Sequence, residues 1–251
     1  STLSSSSAAS DVYKRQPKYT EGAVANALQA LVVYPGWVVR IYCGDDVPNK
    51  IIDRLQQAGA EIVQIHGMND NRGMFWRFLA LADDDVERVI IRDTDSRLTM
   101  RERAAVSEWE HSNLVGHIMR DHPYHAMPIM GGMWGCKGGI FKEIKIMIEN
   151  FSPTKAHNQD QIFLEKIIYP RLIKAGCCIH DSFFQYEKFS RPFPTVRENY
   201  TFVGEAIGSD GEREKHWEVL RDYEQSSWRR FRFSCKRKIF SLCLRFFGKI
   251  L

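Results

Sequence analysis

No apolar run in this chain reaches the roughly 18 residues that a membrane-spanning helix requires. Cysteine pairing signatures are missing too: Cys43, Cys136, Cys177, Cys178, Cys235 and Cys243 are scattered without C-x-x-C spacing. With no interpretable signal peptide, a reduced, cytoplasmic setting is the simplest expectation. A dominant charge is also lacking, since the formal net charge is only +4. That surplus sits in the last 26 residues, where Ser226 to Leu251 holds eight Lys or Arg and no acid, leaving 27 basic against 31 acidic residues elsewhere. The body is mildly acidic and carries no basic run, so a nucleic-acid partner is not expected.

What is present suits one substantial core: 251 residues, 44% hydrophobic and 12% aromatic, within the reach of one α/β domain of up to about 250 residues. The opening "STLSSSSAAS" is low-complexity, and "DVYKRQ" after it resembles the translation of a transposase adapter used in sequencing libraries. Residues 1–16 are therefore expected to lie outside the fold as adapter-derived or disordered sequence, with a native start near Pro17 and a first strand missing. A domain over 17–225 and a basic tail over 226–251 complete the expected division.

Past Pro17, "YTEGAVANALQALVVYPG" predicts a helix with Ala23, Ala27, Ala30 and Leu31 on one face, closed by Pro35-Gly36. "WVVRIYCG" reads as a strand, "VPNKIIDRLQQAG" as a helix and "AEIVQIHG" as a strand. "NRGMFWRFLALADD" has helical apolar spacing, and "VERVIIRD" is apolar enough for a strand buried on both faces. This alternation predicts an α/β fold with a single Rossmann-like, mixed but mostly parallel sheet flanked by helices. Ligands of such sheets bind beyond the carboxyl ends of the strands.

Asp93 and Asp95 fall at such an end, in "VIIRDTDSRL". Residues two apart in an extended chain point the same way, so both carboxylates could face one point. Held together they repel unless a cation compensates, and Mg or Mn favours oxygen ligands while leaving positions for phosphate oxygens. The plainer alternative makes one aspartate the cap of a helix starting near Thr99 and the other a partner of Arg92 or Arg97. Downstream, "PIMGGMWGCKGG" crowds glycines around Trp134. Gly131 and Gly132 there permit close backbone approach to a ligand, and Trp134 is either a platform for a sugar face or a core residue of a hairpin. "HNQDQIFLEKIIYP" places Asp160 and Gln161 near a helix start, and "CCIHDSFF" ends a strand at His180 and Asp181.

The order of strand, Asp-x-Asp, Gly-rich segment, Asp-Gln on a helix and late His resembles the A-type glycosyltransferase fold, especially its glycogenin and lipopolysaccharide galactosyltransferase branch. "RDTDSRLTMRERAAVSEW", "HIMRDHPYH", "GGMWG" and "RPFPTVRENYTFVGE" resemble, more closely, a group of bacterial and viral proteins regarded as glycosyltransferases of this fold. The similarity runs from Lys18 to about Glu205. It implies that Asp93 and Asp95 bind an Mn or Mg ion and the diphosphate and ribose of a nucleotide sugar such as a UDP-sugar. His180 would be a third metal ligand, with Asp181 as competitor, while Asp160 and Gln161 face the transferred sugar or the acceptor. Arg72, Arg77 and Arg92 are candidates to neutralise phosphate, and Asp121, Asp160 and Asp181 are candidates for a general base if the reaction inverts. One departure is that the late His is followed only by the distant Lys188, where the glycogenin branch has Gly and Lys close by.

Two other readings stand beside this one. An aspartate-nucleophile phosphatase has a similar Asp-x-Asp after a hydrophobic strand, but Arg97 stands where its motif has Thr or Val; a catalytically silent module of the same fold is the other. In the tail, Trp228, Phe231, Cys235, Ile239, Leu242, Phe246 and Ile250 recur at spacings of three and four among basic residues. An amphipathic helix on an anionic membrane surface is expected, at the inner face of a membrane and suited to a glycan or lipid-linked acceptor; the alternative is docking of the stripe onto the domain.

Overall fold

The computed structural model describes residues 1–7, 17–67, 71–151 and 158–227, without the side chains of 3–7, 17, 71 and 72. Its β-branched and aromatic runs pair into one seven-stranded sheet of order β3-β2-β1-β4-β6-β5-β7. The strands are β1 (Thr2–Ser7), β2 (Val38–Gly44), β3 (Glu61–Ile65), β4 (Arg88–Arg92), β5 (Gly116–Arg120), β6 (Met133–Lys137) and β7 (Cys177–Asp181). β6 runs antiparallel to β4 and β5, and the remaining pairings are parallel. The expected mixed, mostly parallel sheet flanked by helices is the fold.

The expectation that residues 1–16 lie outside the fold is corrected at its start. Thr2–Ser7 pairs with β2 on one side and β4 on the other, so a strand fills the position thought to be missing.

Side-chain alternation divides the core. On β4, Ile90 joins the cluster beneath α1 (Pro17–Val33), α2 (Asn49–Gln57) and α3 (Met100–Glu110). Val89 and Ile91 join the opposite cluster, with α4 (Ile144–Phe151), α5 (Gln159–Phe163), a π-helical turn at Leu164–Ile168 and α6 (Tyr169–Ala175). A third, aromatic cluster holds Phe183, Phe184 and Phe202 with Leu220 of α7 (His216–Gln225).

Two local expectations change. Asn71–Ala82 winds as 3-10 helix, because Phe75, Phe78 and Leu81 are buried at a strict spacing of three, the period of that helix. On α1, Ala23, Ala27 and Ala30 are buried as expected, but Leu31 is 63% exposed; Val24 and Val33 extend the buried stripe instead. Cys43, Cys136, Cys177 and Cys178 are buried free thiols. No helix among the described residues is long and apolar enough to cross a membrane, and the tail from Trp228 onward lies outside the described residues.

Candidate active site

β1 has β2 on one side and β4 on the other, so the chain order reverses direction across the sheet there. Crevices at such switch points, beyond the carboxyl ends of the strands, are where α/β sheets take ligands. Asp93 directly follows β4, and the start of β6 lies beside it because β6 runs the other way, with Arg92 opposite Met133. Gly131 and Gly132 thereby reach Asp93. A Cβ on Gly132 would lie 2.2 Å from Asp93 Oδ2, and one on Gly131 would lie 2.9 Å from Arg77 Nη2.

Arg77 ties this corner together. Its buried guanidinium donates to Asp93 and, at 2.7 Å, to Asp160 Oδ2. The fork matches carboxylate geometry, and it links the end of β4 to the first turn of α5. Gln161 is adjacent and donates its amide to the Ile129 carbonyl. Asp93, Arg77, Asp160, Gln161, Gly131 and Gly132 thus lie together at one corner of the sheet.

Asp95 turns toward α1. The chain leaves the extended form at Thr94 and Asp95, so the two carboxylates are not aligned by strand alternation. Lys18 Nζ stands 3.3 Å from Asp95 Oδ2 and 2.6 Å from Glu214 Oε1. α1 comes this close through Gly22, whose added Cβ would be 2.1 Å from the Thr94 carbonyl oxygen. Asn26 then donates to the Ser96 carbonyl at 2.8 Å. Burial raises the Asp95 pKa, the negative charge of Asp93 raises it further, and Lys18 partly opposes both. The phenol of Tyr19 is shifted upward by burial and by Asp95. From the far side, Ile207 donates its N–H to the Asp95 carbonyl at 2.8 Å.

The plainer account of the aspartates changes its partners: Asp93 pairs with Arg77 and Asp95 with Lys18, while Arg97 feels the Asp95 charge. Thr99 itself caps α3, its hydroxyl accepting from the Glu102 N–H at 3.1 Å. Neither aspartate pairs with Arg92, which is fully buried and donates to Glu102 at 2.7 Å and to the Gly132 carbonyl at 2.7 Å. That placement withdraws Arg92 as a phosphate ligand.

Four further expectations are corrected. Trp134 has no exposed surface; β6 directs its ring onto Phe78, centroids 5.8 Å apart, where no sugar can stack. His180 lies on β7, three strand spacings from β4 or roughly 14 Å at about 4.8 Å each, and it is bonded to Glu108 at 2.9 Å. It cannot share an ion with Asp93. Asp121 is buried and held by Arg101, Arg197, Ser182 and the Val203 N–H; burial alone would raise its pKa, but the two guanidinium groups keep it below the ordinary value. Asp181 accepts from Arg120 and from the N–H groups of Phe183, Phe184 and Gln185. Both acids brace the segment after β5 against the chain that follows β7, so neither is placed to act as a base in the cleft. The Arg72 side chain lies outside the described residues.

Lys18, Tyr19 and Glu214 went unnoticed in the sequence. A signal for the first two existed: a helix that follows a central strand starts at the carboxyl edge of its sheet. Setting aside residues 1–16 removed that strand, and with it the inference.

No family model matches the chain, and no curated protein matches it. Among solved structures, a mycobacterial protein aligns at 13% identity with a TM-score of 0.34, over 60% of each chain. The apo form of mouse xyloside xylosyltransferase 1 aligns at 12% identity with a TM-score of 0.38, over 72% of this chain and 83% of that one. This chain therefore spans 60% of the mycobacterial protein's length. Both likenesses are distant, and neither speaks to activity.

Proposed function

We propose that this chain is a glycosyltransferase that moves a sugar from a nucleotide-diphosphate donor, of which a UDP-sugar is the first candidate, to a glycan or lipid-linked acceptor. One observation carries the reading: Asp93 directly follows β4 at the switch point of the sheet, against a side-chain-free Gly131–Gly132 wall and the fixed pair Arg77–Asp160, and Asp95 is near enough to feel its charge.

The oxygen-only donor set fits a hard divalent ion, and the raised pKa of Asp95, from burial and from Asp93, marks carboxylates whose charge is incompletely offset. Asp93 and Asp95 would hold Mn or Mg, which supplies neutralisation of the leaving diphosphate. The chain's own groups do the positioning. Arg77 fixes Asp93 and Asp160 in one frame, so a sugar bound between them meets preorganised acceptors. Lys18 adds a positive group on the Asp95 side. Gly131 and Gly132 let backbone approach the donor where any Cβ would collide. With Asp121 and Asp181 committed to structure, Asp160 is the remaining acid of the three expected near the reacting carbon.

Titrating UDP into the full chain by calorimetry, with and without Mn, tests this reading. Binding is expected to require Mn and to weaken at least tenfold in Asp95→Asn. Failure of every nucleoside diphosphate to bind with either metal would overturn the proposal and put the phosphatase first. For the tail, the sequence pattern supports contact with an anionic membrane: the full chain should co-sediment with anionic vesicles and a chain ending at Gln225 should not. Equal co-sedimentation would remove that part.

A further inference from the structure

Opposite the end of β4, the other edge of the sheet holds a polar cluster that the proposed transfer does not use. β5 and β7 are parallel and in register, with His117 beside Cys178 and Met119 beside His180. Residues two apart share a face, so all four side chains lie on the face covered by α3. The relative exposures of His117, Met119, Cys178 and His180 are 0%, 1%, 1% and 0%. His117 Nε2 is 2.9 Å from His180 Nδ1, and Cys178 Sγ is 4.0 Å from the same nitrogen. The three donor atoms all fall within 4.8 Å of one another.

Glu108 orients the group. Its carboxylate Oε2 lies 2.9 Å from His180 Nε2, and an ionised carboxylate only accepts, so the His180 proton belongs on Nε2. The Nδ1 lone pair then points to His117 and Cys178. A carboxylate behind a ligating imidazole is the usual outer partner in metal sites. His117 is stacked on Trp109 with centroids 5.4 Å apart and planes 9° from parallel, which fixes its ring as well.

We infer that His117, Cys178 and His180 form a buried site for a soft monovalent cation, Cu(I). Two imidazoles and a thiolate suit copper among the first-row metals. Cu(I) with one thiolate is neutral, so it adds no net charge to a buried place where Glu108 already faces Arg191 at 3.8 Å. On binding, the Cys178 thiol proton leaves to solvent, and the His117 proton shifts from Nε2 to Nδ1. No redox step is involved. The Nδ1 atom has no partner among the described residues, so this shift breaks no hydrogen bond there.

Because the donors are buried, the full chain is refolded anaerobically with one equivalent of Cu(I), desalted, and challenged with a Cu(I) chelator. One copper per chain should be retained, with a raised Tm, and X-ray absorption at the copper edge should show one sulfur at thiolate distance among nitrogens. Cys178→Ser should lower retention at least tenfold, while Cys43→Ser should not. Absence of a sulfur scatterer in the unsubstituted protein would overturn the site whether or not the variant folds. So would equal retention by Cys178→Ser, and preferential uptake of Zn(II) from an equimolar mixture would overturn the choice of ion.

Discussion

Trp134 and the arginines define what single residues contribute. The indole is closed in by Phe78 and core neighbours, and its Nε1 has no partner among the described residues. Truncation to Ala should cost about 3–5 kcal/mol, the usual range for a large aromatic core residue. Trp134→Phe removes an unpaired buried N–H, so its cost should stay below about 2 kcal/mol. Urea unfolding measures both. Binding of a UDP-sugar should change less than twofold in Trp134→Phe, and a tenfold loss there with UDP binding unchanged would restore the ring as a sugar platform. The arginines show the complementary rule: Arg92 with Glu102, and Arg120 with Asp181 and Glu187, are buried and held by several bonds each. Removing one partner of such a pair leaves a buried charge, which is far costlier than losing a surface ion pair.

Between residue and domain, the turn after β5 carries a pH response. His122 Nδ1 accepts from the Tyr124 N–H at 3.0 Å, and its Nε2 faces the His216 carbonyl at 3.0 Å. His125 Nδ1 accepts from the Asp121 N–H at 3.1 Å. The two Nδ1 bonds use the lone pair that protonation would fill, whereas His122 Nε2 donates to the carbonyl. Burial pushes His122 down to about 4 and His125 down to about 3. The unfolded chain takes up these protons near the ordinary value of about 6.5, so between there and the folded values it binds more protons than the folded one. Stability is therefore fully present above about pH 6.5 and falls as pH drops, by up to about 1.4 kcal/mol per pH unit for each histidine. His117 and His180, also shifted down by burial, add to the same slope. Thermal unfolding should show Tm declining from pH 7 to 4.5, before most carboxylates titrate, and His125→Gln should make the decline shallower. A flat profile would contradict the burial of these rings.

At the scale of the molecule, β1 decides whether there is one sheet or two fragments. It alone joins β2 and β3 to β4 and the strands beyond it. A chain beginning at Pro17 should lose cooperative unfolding, since the backbone groups of β2 and β4 that face β1 would be left without partners. Circular dichroism through a urea series checks this. An unchanged single transition would mean that residues 1–7 are dispensable and that the strand position is not theirs.

Local chemistry explains what the sequence by itself determined. Alternation and turn residues locate β2, β3, β4 and β7, because side-chain period and backbone breakers act within a few residues. The same locality places Asp93 and Asp95 just past a strand and puts Gly131, Gly132, Asp160 and Gln161 in loops or helix starts. Lateral order does not follow from such signals. Only the tertiary structure reverses β6, and that reversal brings Gly132 onto Asp93 and puts Trp134 in the core, while the lateral order sets His180 three strand spacings from β4. It also decides the partners of ionised groups. Arg77 and Arg92 both follow apolar residues in sequence, yet one holds Asp93 and Asp160 while the other is sealed against Glu102. Strand neighbours and charge partners are non-local, set by which elements pack together, and spacing along one chain carries no record of that choice.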